Sequence, residues 1–325
     1  MKLLKLIPDN TKIPFTKYRW HAFVLTIVMF FGAAAALYAP GLNFGVDFRG
    51  GISLEVEDSE PIDLSLVRGV IGALDLGSSK VQEFGAPNIV RVVIDPSKIV
   101  AEARASEGDD ADADRAVQAA ADQVQAALRE ALGEDSAFRN REIVGATVSG
   151  ELVQRGLMAV VLATLMMLIY IWIRFQWQWG VGAVVATIHD TVIAVGVFAL
   201  LQFEFNLATI AAVLTVIGYS VNDTVVVYDR IRENLRKYKK MPLDQLIDLS
   251  LNETLTRTIV TGGTTLLALM ALTVFGGEVL RGFSILIVLG IVIGTYSSLF
   301  VAAPFLLLTR IKRETGIAAP AGQTP

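Results

Sequence analysis

"VLTVIGYSVNDTVVVYDRIREN", residues 213–234, begins as a run of Val, Ile and Leu suited to hydrocarbon and ends among charges. Between the two stand Asn222 and Asp223. A carboxylate at the centre of a bilayer costs about 2.5–3.5 kcal/mol on insertion scales, so it has to face a partner, a water path or a working site. Composition shows that a bilayer is the right solvent. Of 325 residues 53% are hydrophobic and 18% charged, and the mean hydropathy is +0.54. These values belong to a multi-pass membrane protein rather than a soluble chain.

A spanning helix needs roughly 20 apolar residues, and six windows qualify, at 20–38, 153–173, 181–201, 207–228, 259–276 and 283–308. The first also has features of a secretory leader, basic residues followed by a small-residue run from Ala33 to Ala36, but it is long for one and Pro40 sits awkwardly at any cleavage point. Lys and Arg collect in the segment 1–19, in the loop 229–258, which has seven, and in the tail 309–325, which has three. The positive-inside rule then puts both termini and that loop in the cytoplasm, and the long segment 39–152 on the export side. Trp172, Trp177 and Trp179, at the turn between spans two and three, read as interfacial anchors.

The segment 39–152 has the rhythm of a folded domain. "GISLEVE" alternates as a strand, "DLSLVRGVIGAL" has helical spacing, "VQEFG" and "NIVRVVID" are two further strands, "DADRAVQAAADQVQAALREAL" is helical and "REIVGATVS" is a last strand. The order βαββαβ predicts an α+β ferredoxin-like sandwich. Acidic, Ala-rich residues 101–114 read as a solvated insertion before the second helix. In the loop, "MPLDQLIDLSL" (241–251) puts Leu243, Leu246, Ile247 and Leu251 on one face, as in a helix lying along the cytoplasmic membrane surface.

Enzymatic signatures are scarce. There is no cysteine and there are two histidines, His21 and His189, which disfavours a metal centre, and no phosphate-binding loop. "GYSVN" (218–222) resembles a nucleophile elbow only in part and lies inside an apolar helix. Asp190 with Asp223 or Asp229 is the pair an intramembrane aspartyl protease would need. No catalytic residue, metal or cofactor is assigned, and a net charge of −4 gives no reason to expect nucleic acid.

What remains is polar residues inside the spans. Thr215, Tyr219, Asn222 and Asp223 share one face of the fourth span, and Thr254, Arg257, Thr261, Thr264 and Thr265 one face of the fifth. The two helices are antiparallel and joined by the cytoplasmic loop, so Asp223 and Arg257 stand at similar depth and are expected to meet. Asp190 adds a carboxylate near the middle of the third span. Burial favours the neutral Asp and a nearby Arg the charged one, so a carboxylate that moves relative to Arg257 binds and releases a proton. Asp223, Arg257 and Asp190 form the expected proton pathway, with Asn222, Tyr219, Thr261 and Thr264 as its polar surroundings. Proton-driven efflux of hydrophobic small molecules is the rival reading.

"GYSVNDTVVVYDRIREN" (218–234) and "LNETLTRTIVTGGTT" (251–265) resemble the SecF side of the SecD/SecF family of bacterial protein-export membrane proteins, within the resistance-nodulation-division superfamily. "NFGVDFRGG" (43–51), "IHD" (188–190), "FNLATIAAVLT" (205–215) and "GTYSSLFVAAP" (294–304) fit the same family in the same order, so the resemblance covers nearly the whole chain. It implies a non-enzymatic subunit of the inner membrane that works with SecD, YajC, the SecYEG channel and YidC. Such a subunit would use the proton gradient to promote export of unfolded preproteins. It also implies that Asp223 is the proton-pathway Asp and Arg257 the Arg that opens the fifth span. A single set of six spans is then half of a twelve-span transporter built from parallel repeats.

Overall fold

The structure is a computed structural model, which describes residues 8, 11–105, 110–133, 136–175 and 177–309. A short 3₁₀ turn, Phe15–Tyr18, leads into α1 (Arg19–Tyr38), the first of six helices among the described residues that are long and apolar enough to cross a membrane. After α1 come a two-residue strand β1 (Asn43–Phe44), a single helical turn α2 (Val46–Arg49) and then the folded domain.

The domain runs β2 (Gly51–Glu57), α3 (Leu64–Ala73), β3 (Ser79–Phe84), β4 (Ala86–Ile94), α4 (Ser97–Ala105), α5 (Asp110–Leu132) and β5 (Ala137–Val144). Its sheet has the order β3-β4-β2-β5, with every neighbouring pair antiparallel. This is the chain path of a ferredoxin-like sandwich. Alternate residues of β2, Ile52, Leu54 and Val56, meet Val67 and Ile71 of α3 and Val117, Ala121, Val124 and Leu128 of α5 in one core. Asp63 caps α3, and hydrogen bonds from the Ser65 hydroxyl and backbone N–H hold its carboxyl below the usual range. The acidic segment needs correction. Residues 97–105 are helix α4, with Ile99 and Val100 buried in the core, and α5 begins at Asp110 with Ala113 buried, so only 106–109, which lie outside the described residues, separate two packed helices.

From β5 the chain passes through Gly145 directly into α6 (Ala146–Arg174), then α7 (Trp177–Leu200), the two-residue strand β6 (Glu204–Phe205), α8 (Leu207–Lys237), α9 (Leu243–Phe275) and α10 (Gly277–Ser297). α10 continues through a turn of π-helix, Ser298–Ala302, into α11 (Ala303–Leu308). Pro304 accounts for that wide turn: it has no N–H to give to the carbonyl four residues back, and its ring would strike it. The Ala303 N–H bonds Ser298 O instead, and the Tyr228 hydroxyl donates to Ala302 O at 3.1 Å.

Three helices form the inside of the bundle. In α7, α8 and the α10–α11 unit 56%, 50% and 56% of the apolar window is buried, against 11%, 6% and 17% in α1, α6 and α9. Glycines set the spacing. A Cβ on Gly290 of α10 would collide with Val216 of α8, and one on Gly196 of α7 with the backbone of Ala33 in α1.

Two expectations at the loop end are corrected. Residues 243–251 are no surface helix but the first turns of α9, continuous with the fifth span. Leu246, Ile247 and Leu251 are fully buried in one cluster with Phe15, Tyr228 and Ile231, so this apolar face packs on protein rather than on lipid. Asp248 fixes the chain end there by accepting from the Thr16 N–H and hydroxyl, each at 2.8 Å. Of the three tryptophans, Trp172 and Trp177 are exposed, but Trp179 is buried, stacked on Phe175 and edge-on to Tyr228. Aromatic packing claims Trp179 before any interface can.

Candidate functional site

Asp190 lies 10 residues from the end of α7 at Leu200, and Asp223 lies 16 residues from the start of α8 at Leu207. At 1.5 Å per residue they are about 15 Å and 24 Å from the domain end of the bundle. Both are inside the apolar length of their helices, yet their surroundings differ.

Asp190 is fully buried and fully satisfied. One carboxylate oxygen contacts His189 Nδ1 at 2.8 Å, while the other accepts from the Ser220 hydroxyl at 2.5 Å and the Ser297 hydroxyl at 2.6 Å. Ser220 comes from α8 and Ser297 from α10, so one carboxylate ties together the three inner helices. Gly294 makes room for it: a Cβ there would stand 3.4 Å from Ser220 Cβ and 3.7 Å from Asp190 Oδ2, and anything larger would reach the carboxylate.

Asp223 is half-buried on the side of α8 that meets α9. Its Oδ1 accepts from the Thr258 hydroxyl at 2.9 Å, and its Oδ2 is buried without a hydrogen-bond partner. The Ser298 hydroxyl, in contact with Thr224 at 3.1 Å, stands beside this carboxyl. A buried acceptor without a donor is costly while charged, and the cost vanishes when the oxygen binds a proton.

The expected ion pair with Arg257 is not formed. Helical geometry turns adjacent residues about 100° apart, and it is Thr258 that points at α8, while Arg257 is exposed on the outer side of α9. Thr261 and Thr264 are exposed on the same helix, and the Thr264 hydroxyl bonds back to Val260 O at 2.9 Å. Asn222 is exposed, whereas Tyr219 lies half-buried against α9 at Gly262 and Thr265. Of the residues picked out by the sequence, the structure therefore brings Tyr219 and Asp223 together with α9, and leaves Asn222, Arg257, Thr261 and Thr264 on an open polar face.

The carboxylate dyad of an aspartyl protease is not assembled, because Asp190 is bound to His189 and two serines, Asp223 to Thr258, and Asp229 to Arg174 at 2.8 Å. Sequence reading missed Ser220, Ser297, Ser298, Thr224 and Thr258, all buried. A signal existed in the spacing of Ser220 from Asp223 and in the serine doublet shortly before Pro304, but serine in a span is too common to single out without contacts.

A second polar cluster joins the folded domain to the bundle. Arg91 of β4 contacts Glu55 of β2 at 2.6 Å and Glu204, in the loop between α7 and α8, at 2.8 Å, with its guanidinium 3.5 Å over the Phe84 ring. Burial pushes the Glu204 carboxyl above the usual glutamate range, and the opposing pull of Arg91 only partly offsets it. β1 pairs with β6 in parallel, and Asp47 accepts from the Leu207 N–H at 2.9 Å, supplying a carboxylate to the first turn of α8.

Comparison with known proteins agrees with this architecture. Residues 123–312 match the model of the SecD/SecF C-terminal region of protein export membrane proteins, and residues 35–57 match the SecD/SecF GG motif. The chain is 42% identical over 315 residues to the protein translocase subunit SecF of Rhodobacter capsulatus, covering 96% of this chain and 93% of that one. It is 43% identical over 310 residues to the SecF of Cereibacter sphaeroides, covering 95% and 93%. The crystal structure of SecDF from Thermus thermophilus, described as a translocon-associated membrane protein, superposes with a TM-score of 0.77 at 29% identity. That match takes in 94% of this chain but 40% of the SecDF chain, so the present six helices and one domain correspond to a part of that longer polypeptide. Six spans, one folded domain after the first, and these matches along nearly the whole length place the chain in the SecD/SecF family of protein export membrane proteins, on its SecF side.

Proposed function

We propose that this chain is a proton-coupled accessory subunit of the Sec translocon, which pairs with a SecD-type chain and uses the proton motive force to move its folded domain on a translocating polypeptide. The observation that carries the reading is Asp223 Oδ2, a carboxylate oxygen buried in an apolar bundle with no donor, one helix away from the fully buried Asp190. Such an oxygen is a place for a proton. Each proton crossing the membrane supplies about 2.3 kcal/mol per 100 mV, enough to bias a two-state movement several-fold or more.

The open face supports a paired assembly. Arg257 is 18 residues from the end of α9 at Phe275, about 27 Å along the helix, and among the described residues its guanidinium forms no salt bridge, reaching Asp223 only through space. Charged residues inside membranes face protein or water rather than lipid, so a second set of helices covering Arg257 and Asn222 completes the site. In this reading the approach of Arg257 to Asp223 releases the proton and its withdrawal lets one bind. The proposed setting is the bacterial inner membrane with both termini cytoplasmic. SecD, YajC, the SecYEG channel, YidC and an unfolded preprotein are the partners.

Proton-driven preprotein export in membrane vesicles tests the reading. Asp223→Asn and Arg257→Met are expected to remove the stimulation by the proton gradient while ATP-driven steps persist. Undiminished gradient-dependent export in both variants overturns it.

A further inference from the structure

Both oxygens of the buried Asp190 are taken. Oδ2 accepts from the Ser220 and Ser297 hydroxyls and Oδ1 contacts His189 Nδ1, so the carboxyl has no room for a proton unless one partner turns away. His189 is itself buried, at 3% exposure, and its Nε2 is enclosed with no hydrogen-bond partner among the described residues. A neutral imidazole carries one N–H. With Nδ1 donating to Asp190, Nε2 keeps a bare lone pair. A buried carboxylate also needs a cation, and the helices packed on α7 offer none along their apolar lengths. α1 from Ala22 to Tyr38, α6 from Gly156 to Ile173, α8 from Leu207 to Tyr228 and the α10–α11 unit from Phe283 to Leu308 contain no Lys or Arg. Their ionisable side chains are Asp223 and the tyrosines Tyr38, Tyr170, Tyr219, Tyr228 and Tyr296. The cation within reach of Asp190 is a protonated His189.

We propose that His189 is a further proton-binding residue of the bundle, taking the proton at Nε2 while Asp190 orients the ring and balances its charge. This rests on the proton-coupled reading above and adds a station about 16 Å from the domain end, against about 24 Å for Asp223. Before the proton arrives, the His189 and Asp190 pair carries one net negative charge. A hydronium ion gives its proton to the Nε2 lone pair and leaves as water, and the pair becomes an imidazolium beside a carboxylate, with no net charge. Reversal returns the proton to water. All three bonds to Asp190 stay in place, whereas the same proton on Asp190 Oδ2 would displace a serine. Nε2 lacks a partner in both states, so the cancelled charge decides. Since Ser220 belongs to α8 and Ser297 to α10, the change of charge falls where Asp190 joins the three inner helices.

The test uses the complex purified through the full chain. His189→Asn keeps a side-chain N–H for Asp190 Oδ1 but has no basic nitrogen. In proteoliposomes at fixed membrane potential it is expected to slow proton uptake by about 10-fold or more, within the range for losing a positioned proton-transfer group, with an unfolding midpoint close to that of wild type. On acidification of the detergent-solubilised complex from about pH 9 to about pH 4, a span that covers imidazole titration, it should bind one proton fewer than wild type. Uptake within about twofold of wild type in His189→Asn, with Asp223→Asn inactive, overturns the role of His189 and leaves the proposed function standing. Slowed uptake with an unchanged proton count does the same, because His189 is then a structural donor only. If His189→Asn does not assemble, infrared difference spectra of the wild type on the same acidification decide. Imidazolium bands with Asp190 still a carboxylate support the inference, and a carboxylic acid C=O stretch that disappears in Asp190→Asn overturns it. Undiminished uptake in Asp223→Asn overturns the proposed function itself.

Discussion

Asp190 shows how much a single buried carboxylate can hold. Its removal strands the Ser220 hydroxyl and His189 Nδ1 in a fully buried site and leaves Ser297 only its 3.1 Å bond to Gly294 O, and each abandoned polar group costs about 1–3 kcal/mol. Asp190→Ala is therefore expected to lower stability by about 3 kcal/mol or more, read as the midpoint of thermal unfolding in detergent. Asp190→Asn, which keeps an acceptor oxygen, should lose clearly less. Equal losses would show that the network contributes little. That Asp190 and Asp223 lie within apolar helices and need partners was legible in the sequence, because a carboxylate in such a helix has to be explained wherever it occurs. Which neighbours each would choose was not. Arg257 and Thr258 differ by one position in the chain and by about 100° around the helix, and only packing decides which of them faces α8.

At the scale of elements, the spans were readable because about 20 consecutive apolar residues admit few alternatives. The strand and helix order of the folded domain, apart from α4 with its acidic, Ala-rich end, was readable for a related reason: alternation and helical spacing mark the other elements between Gly51 and Val144. The beginning of α9 was not. An amphipathic face signals a surface to be covered without saying by what, and here the cover is the loop-end half of α8 together with Phe15. This distinction is measurable. Leu246→Ala or Leu251→Ala removes a fully buried side chain from a packed cluster and is expected to cost about 2–5 kcal/mol. A helix lying in the lipid headgroups would lose far less. At the α8–α10 crossing, Gly290→Val forces a side chain against Val216 and should destabilise by about 1–3 kcal/mol, seen as a lower unfolding midpoint.

Across the whole molecule, the domain is seated on the bundle by β1–β6 and by Arg91 between Glu55 and Glu204. This seat was invisible in the sequence, since Arg91 and Glu204 are 113 residues apart and neither lies in a recognisable motif. Arg91→Met leaves Glu55 buried without its cation and is expected to lower stability by roughly 3 kcal/mol, the lower end for breaking a buried pair. Glu204 carries a pH signature. Its folded carboxyl holds a proton more tightly than the unfolded chain, so its contribution is fully present below the ordinary value of 4.5 and is lost as pH rises through its raised value. Relative to Glu204→Gln, the wild-type unfolding midpoint should fall across that interval, and a relative rise would mean that the Arg91 attraction outweighs burial. The contact between Asp47 and Leu207 has a mechanical sequel. α8 is one unbroken rod of 31 residues, clasped at its first turn by Asp47 of α2, which leads into the folded domain, and bearing Asp223 about 24 Å further down. A tilt of the domain thus bears on the same shaft that carries the acid, and under the proposed function traction on a passenger polypeptide would be felt at the proton as directly as the proton is felt by the passenger.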